Sequence, residues 1–338
     1  MAIDEAVARS ILDALELTGA GLSPHGLGRS STAWRVSLAG GELALRIALD
    51  RAGDAPSFQA EHLVMTRLAA IGAATPVPVQ GSWERADWSF PAFSLTTLVA
   101  GGPLTAELDP ARIRQVAAFL RALQSIPVVG FGPVVPEGAA CDAGRVSGVG
   151  AVGGQLGAAD APLRGAATER RVGLRAWMGG APLWPFDESR LQAHPALLDR
   201  PKLRTTLEAV RAQIEAAEQA GQAGLVHSDL HEENILDHDG HLAFLDFGEA
   251  FIGATDWEFA SLAYFLGWPV ADRVLEAYLD LGGSSAGRAA IAGLALSFGL
   301  YRWWQDRDRG VDEEVHDEAF IHSSLDRLAM FVSPPEPG

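Results

Sequence analysis

The chain has 338 residues, with 26 Lys plus Arg against 43 Asp plus Glu, a formal charge of −17, and one cysteine, Cys141. With 48% hydrophobic and 20% charged residues it can bury enough apolar surface to offset chain entropy, which excludes wholesale disorder, and one cysteine excludes a disulfide scaffold. The acidic balance argues against binding to nucleic-acid backbones or anionic membranes, which needs clustered Lys and Arg.

The first residues, Met1-Ala2-Ile3-Asp4-Glu5, lack the basic start and apolar stretch of a secretory signal, and Ile3, Val7, Ile11, Leu12 and Leu15 recur at helical spacing. A helix and a cytoplasmic protein are expected, with Cys141 an inert small residue in a reducing compartment. After the loop Gly26-Leu27-Gly28-Arg29-Ser30-Ser31-Thr32, two β-rich runs, Ala33 to Leu38 and Leu43 to Leu49, joined at Ala39-Gly40-Gly41-Glu42, predict a hairpin. Phe58 to Ala70 has helical spacing and ends near Gly72, and β-like segments follow around Pro78 to Trp83 and Ala92 to Val99.

Beyond Ala100-Gly101-Gly102-Pro103 an amphipathic helix runs from Pro110 to Leu123, and strands then become sparse. Helical patterns occupy Lys202 to Ala220, Asp256 to Leu266 and most of Ala286 to Phe331. The charge-free stretch Ala289 to Tyr301 is shorter than the roughly 20 residues that span a bilayer, so it reads as a buried helix. Glu137 to Gly173, rich in Gly and Ala, reads as a long loop, and Ser333 to Gly338 as a frayed tail. The expectation is an α+β chain: a small β-rich lobe over 1–100, a larger mainly helical lobe over 101–332, and a tail over 333–338.

The chemistry concentrates in Leu225-Val226-His227-Ser228-Asp229-Leu230-His231-Glu232-Glu233-Asn234-Ile235-Leu236 and, after a turn at Asp239-Gly240, in His241 to Gly248 with its Asp246-Phe247-Gly248. An Asp, an Asn five positions later and a second Asp on the returning strand is the set that phosphoryl transfer needs. One carboxylate accepts a hydroxyl proton, while an amide and another carboxylate offer hard oxygens to magnesium. Asp-Phe-Gly by itself would be explained by a turn at a strand end.

These residues resemble the catalytic segment of the aminoglycoside phosphotransferase family, relatives of the protein kinases, in which His-Gly-Asp-Leu-His-x-x-Asn precedes Ile-Asp-Phe or Ile-Asp-Trp. The resemblance extends over almost the whole chain. Gly26 to Val36 and Leu43 to Ile47 are similar to the family's nucleotide loop and following strand, Glu61-His62-Leu63 to its lobe helix, and Ala100-Gly101 to the connection after its hinge. Gly130-Phe131-Gly132-Pro133, Trp177, Gly248 to Gly253 and Glu258 are similar to the hygromycin phosphotransferase branch.

The resemblance implies a protein-kinase-like two-lobed fold, a small-molecule O-phosphotransferase, ATP or GTP as donor, and Mg2+. It makes Asp229 the catalytic base or substrate-orienting carboxylate, and Asn234 and Asp246 the magnesium ligands. Gly28, Ser30 and Ser31 would approach the phosphates, with backbone groups of Thr97 and Val99 on the purine edge. No side chain in Thr96-Thr97-Leu98-Val99 discriminates the purine, and ATP is the commoner donor in the family. Where the family normally has a Lys, this chain has Arg46, which keeps the charge and can grip phosphate through two donors, with Glu61 as partner. A surface arginine is the bland reading of Arg46, and structural roles are favoured for His227 and His231.

For the acceptor, Asp306, Asp308, Asp312, Glu313, Glu314, Asp317 and Glu318, with Asp256 and Glu258 nearer the catalytic segment, would attract a cationic sugar if they faced a cleft. A solvated helix face, with Arg307 and Arg309 interspersed, explains them equally. The tryptophans Trp177, Trp184, Trp257, Trp268, Trp303 and Trp304 read mostly as core. An aminoglycoside-type antibiotic leads. A choline-, homoserine- or sugar-like acceptor is the nearest alternative, and a catalytically silent nucleotide-binding protein the other. No feature of the sequence specifies an oligomer.

Overall fold

The computed structural model describes residues 5–27, 31–49, 58–84, 89–104, 107–135, 161–167, 201–309 and 314–332, a few helix side chains aside. The sequence expectations at Gly28, Ser30, Cys141, Trp177, Trp184, most of Glu137 to Gly173 and the tail lie outside these residues.

The N-terminal part is a five-stranded sheet of β1 (Gly21–Leu27), β2 (Ser31–Leu38), β3 (Gly41–Ala48), β4 (Pro78–Gly81) and β5 (Phe93–Thr97), in the order β1-β2-β3-β5-β4. All its pairings are antiparallel. The hairpin β2–β3 was legible from its alternation: Trp34, Val36, Leu45 and Ile47 are buried. They share a core with Ala8, Ile11 and Leu12 of helix α1 (Glu5–Ala14) and with Phe93 and Leu95. Strand β1 was not expected from the sequence, and its last two residues, Gly26 and Leu27, fall in the expected loop. Its Pro24 is tolerated because β1 is an edge strand, with a register shift between Pro24 and Gly26.

Helix α2 (Phe58–Ala70) presents Ala60, Val64, Met65 and Leu68 to the second and larger core, and so ties the small sheet to the helical part. The link continues where Phe244 N–H donates to the Ala74 carbonyl at 2.9 Å. After β5 the chain crosses at Gly101, whose φ is 123°; a Cβ there would lie 2.8 Å from the Asp237 carbonyl oxygen, so only glycine fits. Strand β6 (Gly102–Pro103) then adds to the hairpin of β11 (Ile235–His238) and β12 (His241–Phe244). That hairpin turns at Asp239 and Gly240, both left-handed with φ of 52° and 85°, as a type I′ turn requires.

Helix α3 (Pro110–Gln124) starts as its sequence dictates, with Asp109 accepting from the N–H groups of Ala111 and Arg112 and Pro110 in the first turn. Arg112 and Gln115 on α3 hold the β11–β12 hairpin through Asp237 at 2.7 Å and the Gly240 carbonyl at 2.7 Å. The expectation that strands become sparse beyond Leu123 is corrected. A second five-stranded sheet joins β7 (Val128–Val129), β8 (Phe131–Val135), β9 (Leu163–Ala167), β10 (Ala223–Val226) and β13 (Phe251–Ala254), in the order β10-β13-β8-β9-β7. Its strands have two to five residues, too few for a period-two pattern to show.

Helix α4 (Pro201–Ala217) precedes β10, and α5 (Trp257–Leu266), α6 (Trp268–Asp280), α7 (Arg288–Arg309) and α8 (Glu314–Val332) complete the larger part. The stretch Ala289 to Tyr301 lies within α7, with Ile291, Leu294, Leu296, Phe298 and Leu300 buried. Among the described residues no helix is long and apolar enough to cross a membrane. The fold is thus α+β and two-lobed, with two apolar cores and a crossing at Gly101 between them.

Candidate active site

The site forms where the ends of β10 and β12 emerge beside α5. Strand β10 delivers His227, Ser228 and Asp229 into a loop fixed from three directions. His227 is wholly buried; its Nε2 faces the Leu245 carbonyl at 2.8 Å and its Nδ1 accepts the Asp229 N–H at 3.3 Å. The ring is therefore neutral, with its proton on Nε2, and burial lowers its pKa as that arrangement needs. Phe119 and Phe247 pack around it, their centroids 6.3 and 4.7 Å away.

The second restraint is Glu258, in the first turn of α5 and with 0% exposure. Its carboxylate accepts the His227 N–H and, at 3.4 Å, the Ser228 N–H. Burial pushes its pKa up to about 7, opposed by those two bonds. The third restraint is hydroxyl chemistry: Ser261 Oγ donates to the Ser228 carbonyl at 2.7 Å, and Ser228 Oγ to the Glu249 carbonyl at 3.0 Å. Ser228 itself is left-handed, with φ 68°.

Asp229 comes out of this frame with its side chain 30% exposed. Asn234, on the short 3-10 turn Glu232–Asn234, donates through Nδ2 to the Asp229 carbonyl at 2.8 Å and to its Oδ2 at 3.2 Å. That leaves the Asn234 amide oxygen turned away from Asp229. His231 Nε2 lies 3.6 Å from Asp229 Oδ2. Burial raises the Asp229 pKa, but the bond and charge of His231, with the charge of Arg302, hold it below the usual carboxylate value.

Asp246 lies two residues beyond the end of β12. The backbone bond from Leu245 N–H to the Asn234 carbonyl, 2.9 Å, fixes the two loops against each other. Asp246 is left-handed with φ 57°, a conformation Asp tolerates through its own short-range bonds, here from Gly248 N–H to Oδ1 at 3.3 Å. Arg46 on β3 joins the lobes, with Nη1 2.5 Å from Glu61 Oε1 and Nη2 3.5 Å from Asp246 Oδ2. Its guanidinium lies 5.3 Å from the Phe58 ring centroid. Burial works against its charge, and Glu61 and Asp246 outweigh that, so Arg46 is firmly cationic. The surface-arginine reading is therefore replaced by an inter-lobe ion-pair relay.

The remaining sequence-named residues lie around this centre. Ser31 is buried at the start of β2, opposite Ala48. Thr97 ends β5, and its N–H and Oγ1 are both engaged with the backbone of Val77. Val99 follows, and among the described residues its backbone groups take no hydrogen-bond partner. Asp246 and Asn234 bring one carboxylate and one amide oxygen, and among the described residues no cluster of three or more His, Cys, Asp or Glu could hold a metal. Two hard oxygen donors without a closed cage fit magnesium completed by phosphate oxygens.

Of the described carboxylates weighed between a cationic-sugar cleft and a solvated helix face, Glu318 is exposed and three others fit neither reading. Asp256, Glu258 and Asp317 are buried. Asp256 accepts the Ala286 N–H at 2.7 Å, and Asp317 takes the Tyr264 hydroxyl at 2.5 Å. Trp257 and Trp303 are core, as expected. The sequence reading missed the loop-holding roles of Glu258 and Ser261. The signal was there: an acid inside the apolar run Trp257 to Leu266 must be buried with a partner.

A model of the phosphotransferase enzyme family matches residues 21–294. Among solved structures, a thermostable mutant of aminoglycoside phosphotransferase APH(4)-Ia with ADP and hygromycin B has a TM-score of 0.62 at 16% identity, over 95% of this chain and 98% of that one. APH(4)-Ia itself gives 0.60 at 18% identity, over 96% and 99%. The GDP complex of aminoglycoside 2'-phosphotransferase-IIIa gives 0.51 at 14%, over 96% and 97%. At these identities the likeness is one of fold. No curated protein matches the sequence.

Proposed function

The chain belongs to the phosphotransferase enzyme family, and from that premise we propose that it moves the γ-phosphoryl group of ATP or GTP to a hydroxyl of a small molecule, with Asp229 receiving the hydroxyl proton. One observation carries the reading: Asp229 is held in bonding contact with Asn234 while Arg46 links Asp246 to Glu61. In the step, the acceptor oxygen bonds to the γ-phosphorus, the bond from that phosphorus to the bridging oxygen breaks, and the nucleoside diphosphate leaves. Asp229 is suited to its part because it stays ionised and its loop is fixed before substrate arrives.

Asn234 and Asp246 are the residues that would hold Mg2+, which when bound offsets charge on the nucleotide phosphates. Arg46 grips the phosphates with Glu61 setting its direction, Val99 offers backbone groups to the purine edge beside Thr97, and Gly28, Ser30 and Ser31 form the phosphate loop. The lobes divide near Ala100 to Pro103, giving lobes over 1–100 and 101–332.

An aminoglycoside-type acceptor is supported by the hygromycin B held in a structure of the same fold. A second reading, another hydroxylated metabolite of homoserine- or sugar-like kind, is favoured by the burial of Asp256, Glu258 and Asp317, which removes them from a cationic pocket. The test is release of ADP or GDP with magnesium across aminoglycosides, hygromycin, macrolides, choline, homoserine and sugars, comparing wild type with Asp229→Ala. Acceptor-dependent turnover lost in the variant supports the assignment. Near-normal kcat in Asp229→Ala removes Asp229 from the mechanism, and nucleotide binding without turnover on any acceptor returns the silent reading.

A further inference from the structure

Helix α2 sends two consecutive side chains to two different strands of the N-terminal sheet. Glu61 Oε1 meets Arg46 Nη1 of β3 at 2.5 Å, and His62 Nε2 lies 2.6 Å from Ser94 Oγ of β5. Arg46 and Ser94 are paired directly across β3 and β5, so both side chains leave the same face of the sheet. Consecutive helix residues project about 100° apart. An ion pair and a hydrogen bond in those two directions fix the rotation of α2 about its axis, which neither contact does alone.

The His62 contact sits in a closed frame. His62 and Ser94 are each 1% exposed, and the Trp83 ring stands edge-on to the imidazole, centroids 4.6 Å apart. Gly81 on β4 lies opposite Ser94, and a Cβ there would overlap the Trp83 ring, so glycine leaves the space the indole takes. The 3-10 turn Ser82–Glu84 that carries Trp83 is itself held. Glu84 accepts the Gly81 N–H at 3.0 Å and Gln80 Nε2 at 2.7 Å, and Ser82 Oγ accepts the Phe93 N–H at 3.2 Å. Burial, with the Arg46 charge nearby, lowers the His62 pKa to about 4, so the ring is neutral. A leucine would fill the site without the cost of burying a polar ring, about 1–3 kcal/mol when unbonded. What the imidazole adds is one directional bond to Ser94.

That bond acts on Arg46 through Glu61. Glu61 is the nearer of the two carboxylates on Arg46, at 2.5 Å against 3.5 Å for Asp246, and it stands beside His62 on the first turns of α2. A rotation of α2 therefore carries the Glu61 carboxylate, and the guanidinium with it. We propose that His62, bonded to Ser94, is a positioning residue for the phosphoryl donor: it fixes the rotation of α2 and so the direction in which Glu61 presents Arg46 to the nucleotide phosphates. The inference rests on the reading of Arg46 as the phosphate grip.

The test is a double-mutant cycle read in two ways, by the Kd for Mg·ADP and by urea midpoints. His62→Leu and His62→Gln are made in wild type, and His62→Leu again in Arg46→Met/Glu61→Leu, which removes the ion pair whole and strands no buried charge. In wild type, His62→Leu should raise Kd about fivefold, while His62→Gln, which can still bond Ser94, should stay within about twofold. Without the ion pair, His62→Leu should leave Kd unchanged yet still lower the urea midpoint, since a merely structural role acts equally in both backgrounds. Ser94→Ala removes the same bond from the sheet side and should raise Kd as His62→Leu does, which keeps the test open if His62→Leu fails to fold. Unchanged Kd in His62→Leu or Ser94→Ala overturns the proposal, as does the same rise with and without the ion pair. These outcomes leave the phosphotransferase reading standing, whereas a wild type that binds no Mg·ADP defeats that reading and takes the proposal with it.

Discussion

Ser228 is a β-carbon residue in left-handed backbone, at the position where the resembled motif carries Gly. Its conformation costs about 1–2 kcal/mol relative to glycine, and its Oγ bond to the Glu249 carbonyl returns about 1 kcal/mol. Ser228→Gly should therefore be near neutral in stability, whereas Ser228→Ala keeps the strain, loses the bond and should lower stability by about 1 kcal/mol; urea midpoints at one pH decide between them. Arg46 poses the opposite case, because its value lies in its partners. Arg46→Met leaves Glu61 buried and uncompensated, which by the cost of breaking buried ion pairs should destabilise by about 3 kcal/mol. Arg46→Lys keeps one contact to Glu61 and should recover most of that loss, but not the two-donor grip on phosphate, so its nucleotide KM should rise. Equal destabilisation by both variants would show that charge is irrelevant at this position. That Asp229, Asn234 and Asp246 come together was legible in the sequence because they lie on one short strand-loop-strand segment. The charge relay from Glu61 through Arg46 to Asp246 was only half legible, since its last link spans 200 positions and depends on how the lobes close.

Helix α5 shows what an element adds to those residues. Its first two turns supply Glu258 and Ser261 to the backbone of the Asp229 loop, and its last turn supplies Phe265 to His231. Burial holds the Glu258 pKa at about 7, above its ordinary 4.5, so the folded protein keeps a proton that the unfolded chain releases. The sign follows: this group's stabilising contribution is present below about pH 4.5 and is lost as pH rises through about 7. Asp256, pushed up to about 6 by burial, acts in the same direction. Glu258→Gln should thus gain stability relative to wild type as pH rises from 5 to 8, read from denaturant midpoints, while its kcat falls because the loop loses a charged acceptor. A stability difference that stays flat with pH would refute the assignment. Amphipathic helices such as α2 and α3 were readable from apolar spacing and caps. Helix α6 was not, although Ala271, Val274, Leu275 and Tyr278 carry helical spacing. Pro269 beside the left-handed Gly267 looks like a break and in fact opens the helix from its first turn.

At the scale of the whole molecule, the links between the two lobes among the described residues include the Gly101 crossing, the Ala74 to Phe244 backbone bond, the apolar face of α2 and the Arg46 relay. The two-lobed α+β organisation was visible in the order of strand-rich and helix-rich stretches. The second sheet was not, because its strands come from segments far apart and each is too short to announce itself. Arg46 lies 3.5 Å from Asp246, the carboxylate proposed for magnesium. On the proposed assignment Arg46 serves phosphate and Asp246 the metal, so the nucleotide site draws on groups from both lobes at once. Ligand that binds only the folded protein stabilises it by about 2.7 kcal/mol at a hundred times its Kd. ATP with Mg2+ should raise the unfolding temperature of wild type more than ATP with EDTA at equal concentration. In Asp246→Ala, which frees Arg46 for phosphate but removes the carboxylate, ATP with EDTA should stabilise at least as well as in wild type, and adding magnesium should bring little further gain. A magnesium increment of wild-type size in Asp246→Ala would mean that the ion is held elsewhere, and the assignment of Asp246 to magnesium would have to be abandoned.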